Sequence, residues 1–459
     1  MMLNNKDNAL IIKDNSEISP CDEAFAAVWG ECLHNYSART VNSLCLKHPD
    51  FNSIPFMDES QQEDESHLFS YLKDSKILKT GNVGGFFGLR NIKSERLEIR
   101  INSRFDDSEQ QYFIRYLLSK ISGLELLPEL KTQAEFGGFF DFLLFLFPKY
   151  LRQALSQGIF RSYKYYNYND SKPKGRIDVS RHLAKNIPFQ GKVAYSFREY
   201  TEQNDLMLMI REVIEHISNN LPGLINNNSD FKNDCLTIYT HTPYYGKVSR
   251  WQLIELNSKP IKNPFYTNYE MLRQLCIHIL RNDELKFSNK SNDEIYGVVY
   301  DLSWLWEEYL NVLFKSENYM RGFIHTRNRS KQNGLKPFNN NNYELYPDFY
   351  REKEFPFVID AKYKDYSSEK IVRDDILQLI TYMHILKAQA GAFVFPMASN
   401  SENSLKCKEL SPLYLNGFGG VIHRFPLAVP NGCESFVRFV ENIKESEEKL
   451  ITLIKSNLL

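Results

Sequence analysis

The sequence has no GxxxxGK[ST] loop, no CxxC or Cys/His ligand spacing, no excess of charge of one sign and no apolar run long enough to cross a bilayer. Each absence excludes something. Without the glycine-rich phosphate loop the chain carries no nucleotide-driven motor of that kind, and it is expected to bind no nucleotide itself. The seven cysteines are odd in number and scattered from Cys21 to Cys433, which argues for a reducing, cytoplasmic setting and against a structural zinc. Lys and Arg number 56 against 57 Asp and Glu, so no global positive field draws the chain onto a phosphate backbone. Nucleic-acid contact must then come from local patches or from a partner. The longest apolar run, Phe139 to Phe147, contains Asp141 and stops at Pro148, well short of the roughly 20 residues a membrane helix needs. A buried helix is expected there, and no membrane association. The first twenty residues lack the basic start and apolar core of a signal peptide.

What is present is 459 residues with 42% hydrophobic content, enough for two or three domains with cores of their own. Residues 57–66, MDESQQEDES, are acidic and polar and read as a linker after a small N-terminal piece of helix or loop. Residues 81–105 alternate, with Leu97, Ile99 and Ile101 set against Glu98, Arg100 and Asn102, and predict a β-hairpin or small sheet. Helical spacing dominates 109–121, 138–156 and 205–218. The Asn- and Lys-rich stretches 219–233 and 326–342 have little apolar content and read as loops. The expected division is 1–70, an extension; 71–290, a mixed α+β domain; and 291–459, a further α/β domain.

The chemistry concentrates in that last part. LYPDFYREKEFPFVIDAKYK, residues 345–364, reads as two strands joined by a charged turn at Arg351 to Glu354. The second strand is apolar enough to be central, and period two puts Asp360 and Lys362 on one face. Asp348, after Pro347, ends the first strand where it can reach the same edge. Two convergent carboxylates suit Mg²⁺, a hard ion that prefers oxygen ligands and keeps several waters, with Mn²⁺ as a substitute. A lysine two residues after the second acid can orient a water or stabilise the charge on a phosphate in its transition state. The bland reading makes Asp348 a turn residue, and Asp360 with Lys362 a surface ion pair. The context favours the functional one. Downstream, Asp375, Gln378 and Tyr382 line one helical face and Ile376, Ile380 and Met383 another. Upstream, DLSWLWEEYLNVLF buries Leu302, Leu305, Trp306, Tyr309 and Leu313 and leaves Glu307 or Glu308 near the edge as a third carboxylate.

Helix, Pro347-Asp348, Asp360-Ala361-Lys362, then a helix with Gln378 and Tyr382 four residues apart resembles the PD-(D/E)xK nuclease superfamily. The resemblance implies an α/β restriction-endonuclease-like domain with a central mixed sheet flanked by helices, following the α+β N-terminal region. It implies metal ligation by Asp348 and Asp360, catalysis with Lys362 and support from Gln378 and Tyr382. By motif position the first-helix acid falls on Glu307, with Glu308 competing. Strands at Gly391 to Phe395, closed by Pro396, and at Gly420 to Arg424 would complete the sheet.

Lys174-Gly175-Arg176-Ile177-Asp178, then Phe197-Arg198-Glu199-Tyr200 and the 205–218 helix resemble McrC, the nuclease subunit of McrBC restriction systems, and equally its LlaJI-type relatives. Gly84-Gly85, Glu98 to Ile101 and Gly158-Ile159-Phe160 before Tyr163 carry the likeness over residues 80–400. The family's usual Pro-Lys after the Ile-x-Ile strand is replaced by Asn102-Ser103. The resemblance implies a Mg²⁺-dependent endonuclease that cuts double-stranded DNA in anti-phage defence and stimulates a McrB-like AAA+ NTPase partner. Two other functions compete: a non-catalytic activator or scaffold of that partner, and a stand-alone repair nuclease.

Residues 161–181 interleave Arg161, Lys164, Lys172, Lys174, Arg176 and Arg181 with Tyr163, Tyr165, Tyr166 and Tyr168. Such a patch can stack on bases and neutralise phosphates, or dock on the partner. The alternative is a solvated hairpin in which Arg176 and Asp178 pair locally. His241 and His325 read as isolated, and none of the ten histidines is assigned a catalytic role.

Overall fold

Leu97, Ile99 and Ile101 alternate with polar neighbours, which sends the apolar set to one face of a strand. In the computed structural model of the chain all three are buried. It describes residues 9–18, 23–37, 39–48, 51–54, 67–91, 95–108, 110–122, 141–288, 295–316, 322–326, 333–339, 343–353, 355–366, 371–399, 410–417 and 419–458. The acidic stretch 57–66 and parts of 326–342 lie outside those residues. The N-terminal elements in order are β1 (Ala9–Lys13), β2 (Glu17–Ile18), α1 (Glu23–Tyr36), α2 (Val41–Lys47), β3 (Phe51–Ile54), β4 (Phe69–Leu72), β5 (Ile77–Thr80), β6 (Val83–Arg90) and β7 (Arg96–Asn102). β6 and β7 form the expected antiparallel hairpin, with Phe87 opposite Ile99. Before residue 70, where helix or loop was expected, the chain also makes strands: β1 runs parallel to β7, Leu10 beside Ile99. A segment such as ALIIK, apolar only up to its terminal lysine, is too short for periodicity to separate strand from helix. Leu10, Ile12, Trp29, Leu33, Phe69 and Phe87 share one buried cluster.

Next come α3 (Tyr112–Ser122) and α4 (Asp141–Leu155), then β8 (Ser162–Asp170), β9 (Arg176–Ile177), α5 (Val179–Lys185), β10 (Val193–Thr201), α6 (Asp205–Asn220), α7 (Pro222–Asn226), α8 (Ser229–His241), α9 (Arg250–Leu256) and α10 (Thr267–Ser288). Pro148 does not end its helix; it sits inside α4. Proline there removes one backbone bond and costs about 3 kcal/mol, which burial of Leu144, Leu146, Phe147 and Leu151 offsets. The Asn-rich stretch from 219 is likewise helical rather than loop. Asn228 caps α8 by accepting from the Phe231 N–H at 2.9 Å, and Leu224 and Phe231 supply the buried anchors. Asparagine is poor inside a helix and good at its N-cap, so its abundance marked boundaries. β8, β10 and β9 form a three-stranded sheet.

The C-terminal part contains β11 (Ile295–Asp301), α11 (Leu302–Ser316), β12 (Ile324–His325), β13 (Phe349–Arg351), β14 (Phe357–Ala361), α12 (Arg373–Leu386), β15 (Ala390–Ser399), β16 (Leu410–Tyr414), β17 (Val421–Pro430) and α13 (Phe436–Leu458). β11 does not join these later strands. It lies between β6 and β3, completing a five-stranded sheet in the order β1-β7-β6-β11-β3. Gly84 and Gly88 make that pairing possible: a Cβ on either would meet the ring of Tyr300 or Tyr296 at under 2.5 Å. Two units result, residues 1–128 with 135–142 and 290–459, and residues 129–134 with 143–289. Residues 71–128 therefore group with the chain's two ends, differently from the expected 71–290 span, because β11 is paired with β6.

The remaining strands form a six-stranded mixed sheet, β12-β13-β14-β15-β17-β16. β14 is central, with all five residues buried. β15 continues through Pro396 to Ser399 instead of closing there. The Val394 carbonyl faces the β14 side, where it accepts from Lys362 N–H at 3.0 Å, so two residues on the missing N–H of Pro396 points where β14 has ended. Proline is tolerated where no ladder partner is waiting. Among the described residues no helix is long and apolar enough to cross a membrane.

Asp14, just after β1, has a fully buried side chain. It accepts from the Arg104 backbone N–H and from Arg104 Nη1, both at 2.6 Å. Burial pushes its carboxyl up from 3.8 to about 6, against the pull of Arg104. Folding thus favours the neutral acid: that contribution is complete below pH 3.8 and is lost as pH rises through about 6. Relative to Asp14→Asn, wild-type stability should fall by about 2 kcal/mol between about pH 4.5 and about pH 7. Urea denaturation of both proteins at each pH checks this, and a pH-independent difference would contradict it.

Candidate active site

The antiparallel register of β13 and β14 pairs Phe349 with Ile359, which brings Asp348, one residue earlier, level with Asp360. Asp348 Oδ2 accepts from the Ala361 N–H at 2.6 Å. Asp360 is 2% exposed, while Asp348 keeps partial exposure. Burial raises the Asp348 carboxyl well above its ordinary value, and the charges of Glu307 and then Asp360 add to it. Burial raises Asp360 too, opposed by Lys362 and by a hydrogen bond from Asp348. Like charges this close cannot all ionise without a compensating cation.

Lys362 supplies part of that compensation. Its Nζ lies 2.9 Å from Asp360 Oδ2 and 3.4 Å from Asp375 Oδ1. Burial works against the ammonium, but Asp360 and then Asp348 and Asp375 hold its pKa above the ordinary value. The α12 face with Asp375, Gln378 and Tyr382 turns toward this lysine. Lys362 Nζ donates to Gln378 Oε1 at 2.9 Å, Gln378 Nε2 donates to the Tyr382 hydroxyl at 3.0 Å, and that hydroxyl donates to the Tyr346 carbonyl at 3.4 Å. The chain of contacts thus runs from the lysine back to the Tyr346-Pro347-Asp348 segment. The buried stripe of α12 is Asp375, Leu379, Tyr382 and Met383; Ile376 and Ile380 are only half-buried. Asp375 Oδ2 accepts from Lys364 at 2.8 Å and from the Tyr366 hydroxyl.

Of the two acids on α11, Glu307 is the one whose charge Asp348 feels; Glu308 is buried at 4% exposure. Glu307 Oε1 pairs with His325 Nε2 at 2.7 Å, and the His325 ring stacks on Phe349 with centroids 4.9 Å apart. His325 is therefore not isolated. His241 also has a carboxylate partner, Glu202.

A divalent cation fits the donor set. Asp360 Oδ2 is a buried oxygen that receives no aligned hydrogen bond, although the Lys362 ammonium lies close by. Among the described residues no three His, Cys, Asp or Glu side chains form a ready metal cage. Two carboxylates with open positions suit an ion that keeps its own waters.

The basic and aromatic stretch runs through β8 and β9 into α5, and β8 pairs along its length with β10. Tyr163 stands opposite Tyr200, and Tyr165 opposite Arg198, whose guanidinium lies 3.9 Å from the Tyr163 ring centroid. Tyr163 and Tyr165 are 57% and 70% exposed. The charges divide into two groups. Lys164 is paired with Asp205 at 2.9 Å, and Arg181 donates to the Tyr195 carbonyl at 2.6 Å, so both serve the fold. Lys172, Lys174 and Arg176 are exposed, and no side-chain ion pair holds them among the described residues. Asp178 caps α5 and pairs with Arg181 at 3.6 Å rather than with Arg176.

The profile of the family described as McrBC 5-methylcytosine restriction system component matches residues 78–396, more than half of the chain. The chain belongs to this family. The match and the McrC resemblance cover nearly the same residues. Among solved structures, a half-complex of Thermococcus gammatolerans McrB AAA+ hexamers with bound McrC aligns at TM-score 0.48 and 13% identity, covering 96% of this chain and 100% of that one. The Thermococcus gammatolerans McrBC complex aligns at TM-score 0.32 and 11% identity, over 67% of this chain and 87% of that one. No curated protein matches.

In this McrBC-family chain, three side chains that touch the site went unassigned in the sequence. His325 lies in a two-residue strand, where no periodicity can work. Tyr366 reaches Asp375 only after the turn that comes after Lys362. Asp375 was legible as part of a polar stripe, but its bond to the lysine depends on how α12 is set against β14.

Proposed function

We propose that this McrBC-family chain is the nuclease subunit of its system, a PD-(D/E)xK-type endodeoxyribonuclease acting on double-stranded DNA with an AAA+ NTPase partner. The observation that carries the reading is the meeting of Asp348, Asp360 and Lys362, with the buried Asp360 Oδ2 2.9 Å from the lysine ammonium. Asp348 and Asp360 would hold Mg²⁺ or Mn²⁺, with the charge of Glu307 felt at Asp348. The ion supplies a Lewis acid that offsets charge on the scissile phosphate and makes water a better nucleophile.

The chain's own residues do the rest. Lys362 places a fixed positive charge beside the carboxylates, where charge accumulates on the phosphate in the transition state. Gln378 and Tyr382 hold that ammonium and tie it to the loop bearing Asp348. His325 pairs with Glu307 at 2.7 Å and so restrains that acid. Lys172, Lys174 and Arg176, with the exposed tyrosines of β8, offer phosphate and stacking contacts to DNA or a docking face to the partner. Having no phosphate loop of its own, the chain depends on the AAA+ partner for nucleotide hydrolysis. A scaffold has no physical need for convergent carboxylates.

The test is plasmid cleavage by the chain with its neighbouring AAA+ protein, nucleotide and Mg²⁺. Cleavage should vanish on chelation of the metal and in Asp348→Ala. Equal cleavage by Asp348→Ala and wild type would remove the metal-site assignment.

A further inference from the structure

We infer that Arg104 is a positioning residue for Lys362, acting through the main chain of Tyr363; the inference rests on the nuclease reading above. Lys362 is fixed on one side by its N–H, which donates to the Val394 carbonyl at 3.0 Å. There the chain leaves β14 and the sheet no longer holds it. The next carbonyl, that of Tyr363, accepts from Arg104 Nη2. By strand alternation the Tyr363 side chain points away from Lys362, and three consecutive residues enclose it. Its hydroxyl shares a 2.6 Å hydrogen bond with Ser103 Oγ, its ring meets Phe105 edge-on at 5.0 Å, and the Arg104 guanidinium lies 5.1 Å over its centroid.

The clamp is itself anchored. Arg104 is held by the fully buried Asp14 through its backbone N–H and Nη1. Two segments far from the catalytic strand in sequence, the end of β1 and the residues after β7, thus fix the peptide next to the lysine. A buried ion pair of this kind adds little to stability, because desolvation opposes the attraction. Its consequence is geometric: it removes freedom from the backbone that aims the ammonium between Asp360 and Asp375. Misplacement by about 1 Å costs a catalytic group on the order of 10²-fold in rate.

The experiment uses the full chain and two readouts. In the first, lysines are reductively methylated with formaldehyde and borohydride, and peptide mass spectrometry gives the rate at Lys362 relative to exposed Lys174. In Arg104→Met that ratio should rise about tenfold, the equivalent of one lost charge-assisted hydrogen bond, and Arg104→Lys should restore part of the protection. An unchanged ratio overturns the inference. If Arg104→Met does not fold, Ser103→Ala removes the 2.6 Å bond to the Tyr363 hydroxyl, together with the 3.2 Å bond from the Phe105 N–H, and should shift the ratio the same way.

In the second readout, single-turnover DNA cleavage with the AAA+ partner should slow about tenfold in Arg104→Met, with the DNA concentration at half-maximal rate unchanged. In a Lys362→Met background the same change should slow the residual rate no further. A full additional loss there would mark Arg104 as merely structural and overturn the inference. Absence of wild-type cleavage would count against the nuclease reading, and the methylation ratio would still decide the role of Arg104.

Discussion

Asp360→Ala should cut DNA about 10³-fold more slowly than wild type, while stimulation of the AAA+ partner's nucleotide hydrolysis stays within about twofold. Asp360 contributes at two levels. It is the most enclosed of the converging acids, at 2% exposure, and its Oδ2 is a buried oxygen that receives no aligned hydrogen bond. It is also the nearer of the two carboxylates beside Lys362. Removing it therefore weakens the proposed metal site and loosens the ammonium toward Asp375 at once. The backbone need not suffer, because β14 is paired with both β13 and β15 and alanine fits a strand. Cleavage assays run beside phosphate-release assays separate the alternatives. Loss of both activities in a folded variant would sink the division of labour between cutting subunit and motor. Unaltered cleavage would remove Asp360 from the metal site, and absence of cleavage by wild type and variant alike would leave the scaffold reading in its place.

The core of this site was legible because it is written locally. Asp360 and Lys362 are two residues apart on an apolar strand, and period two alone puts them on one face. Gln378 and Tyr382 are four apart on a helix, and the 3.0 Å bond between them follows from that spacing. Asp348 needed one more step, a hairpin register, and the charged turn at Arg351 to Glu354 made that step short. What the sequence hid are contacts whose partners come from elsewhere: His325 with Glu307 across 18 residues, and Arg104 with Tyr363 across 259. No periodicity or spacing rule encodes such a pair.

The same reason explains the differences in fold. β11 falls at the start of the expected 291–459 domain, yet it pairs with β6 and β3, because Gly84 and Gly88 leave room for the rings of Tyr300 and Tyr296. Those glycines were visible in the sequence as part of a hairpin; the aromatic side chains that lie over them were not. The basic stretch shows the reverse error. Counting charges from Arg161 to Arg181 overstates the free cations, because Arg161, Lys164 and Arg181 are engaged by Glu202, by Asp205 and by a strand carbonyl. Lys172, Lys174 and Arg176 are what the count leaves for an external partner.

Glu447 gives the largest stability effect expected outside the candidate site. It lies on α13, 6% exposed, and its Oε1 accepts from the hydroxyls of Tyr116 on α3 and Tyr309 on α11, each at 2.7 Å, while Lys120 reaches Oε2 at 3.0 Å. Three helices converge on one carboxylate. Glu447→Ala strands two buried hydroxyls and an ammonium, and should destabilise the chain by about 3–5 kcal/mol. Glu447→Gln keeps one oxygen to accept from the two hydroxyls and loses the charge and the acceptor that meet Lys120, so its cost should be nearer about 1–2 kcal/mol. Urea denaturation followed by tryptophan fluorescence reads both, since Trp306 is buried on α11 beside Tyr309. An alanine variant with the wild-type midpoint would show that the helices are held by their aromatic contacts alone. The ordering Ala below Gln below wild type would show that the carboxylate joins them, α11 with its Glu307 included.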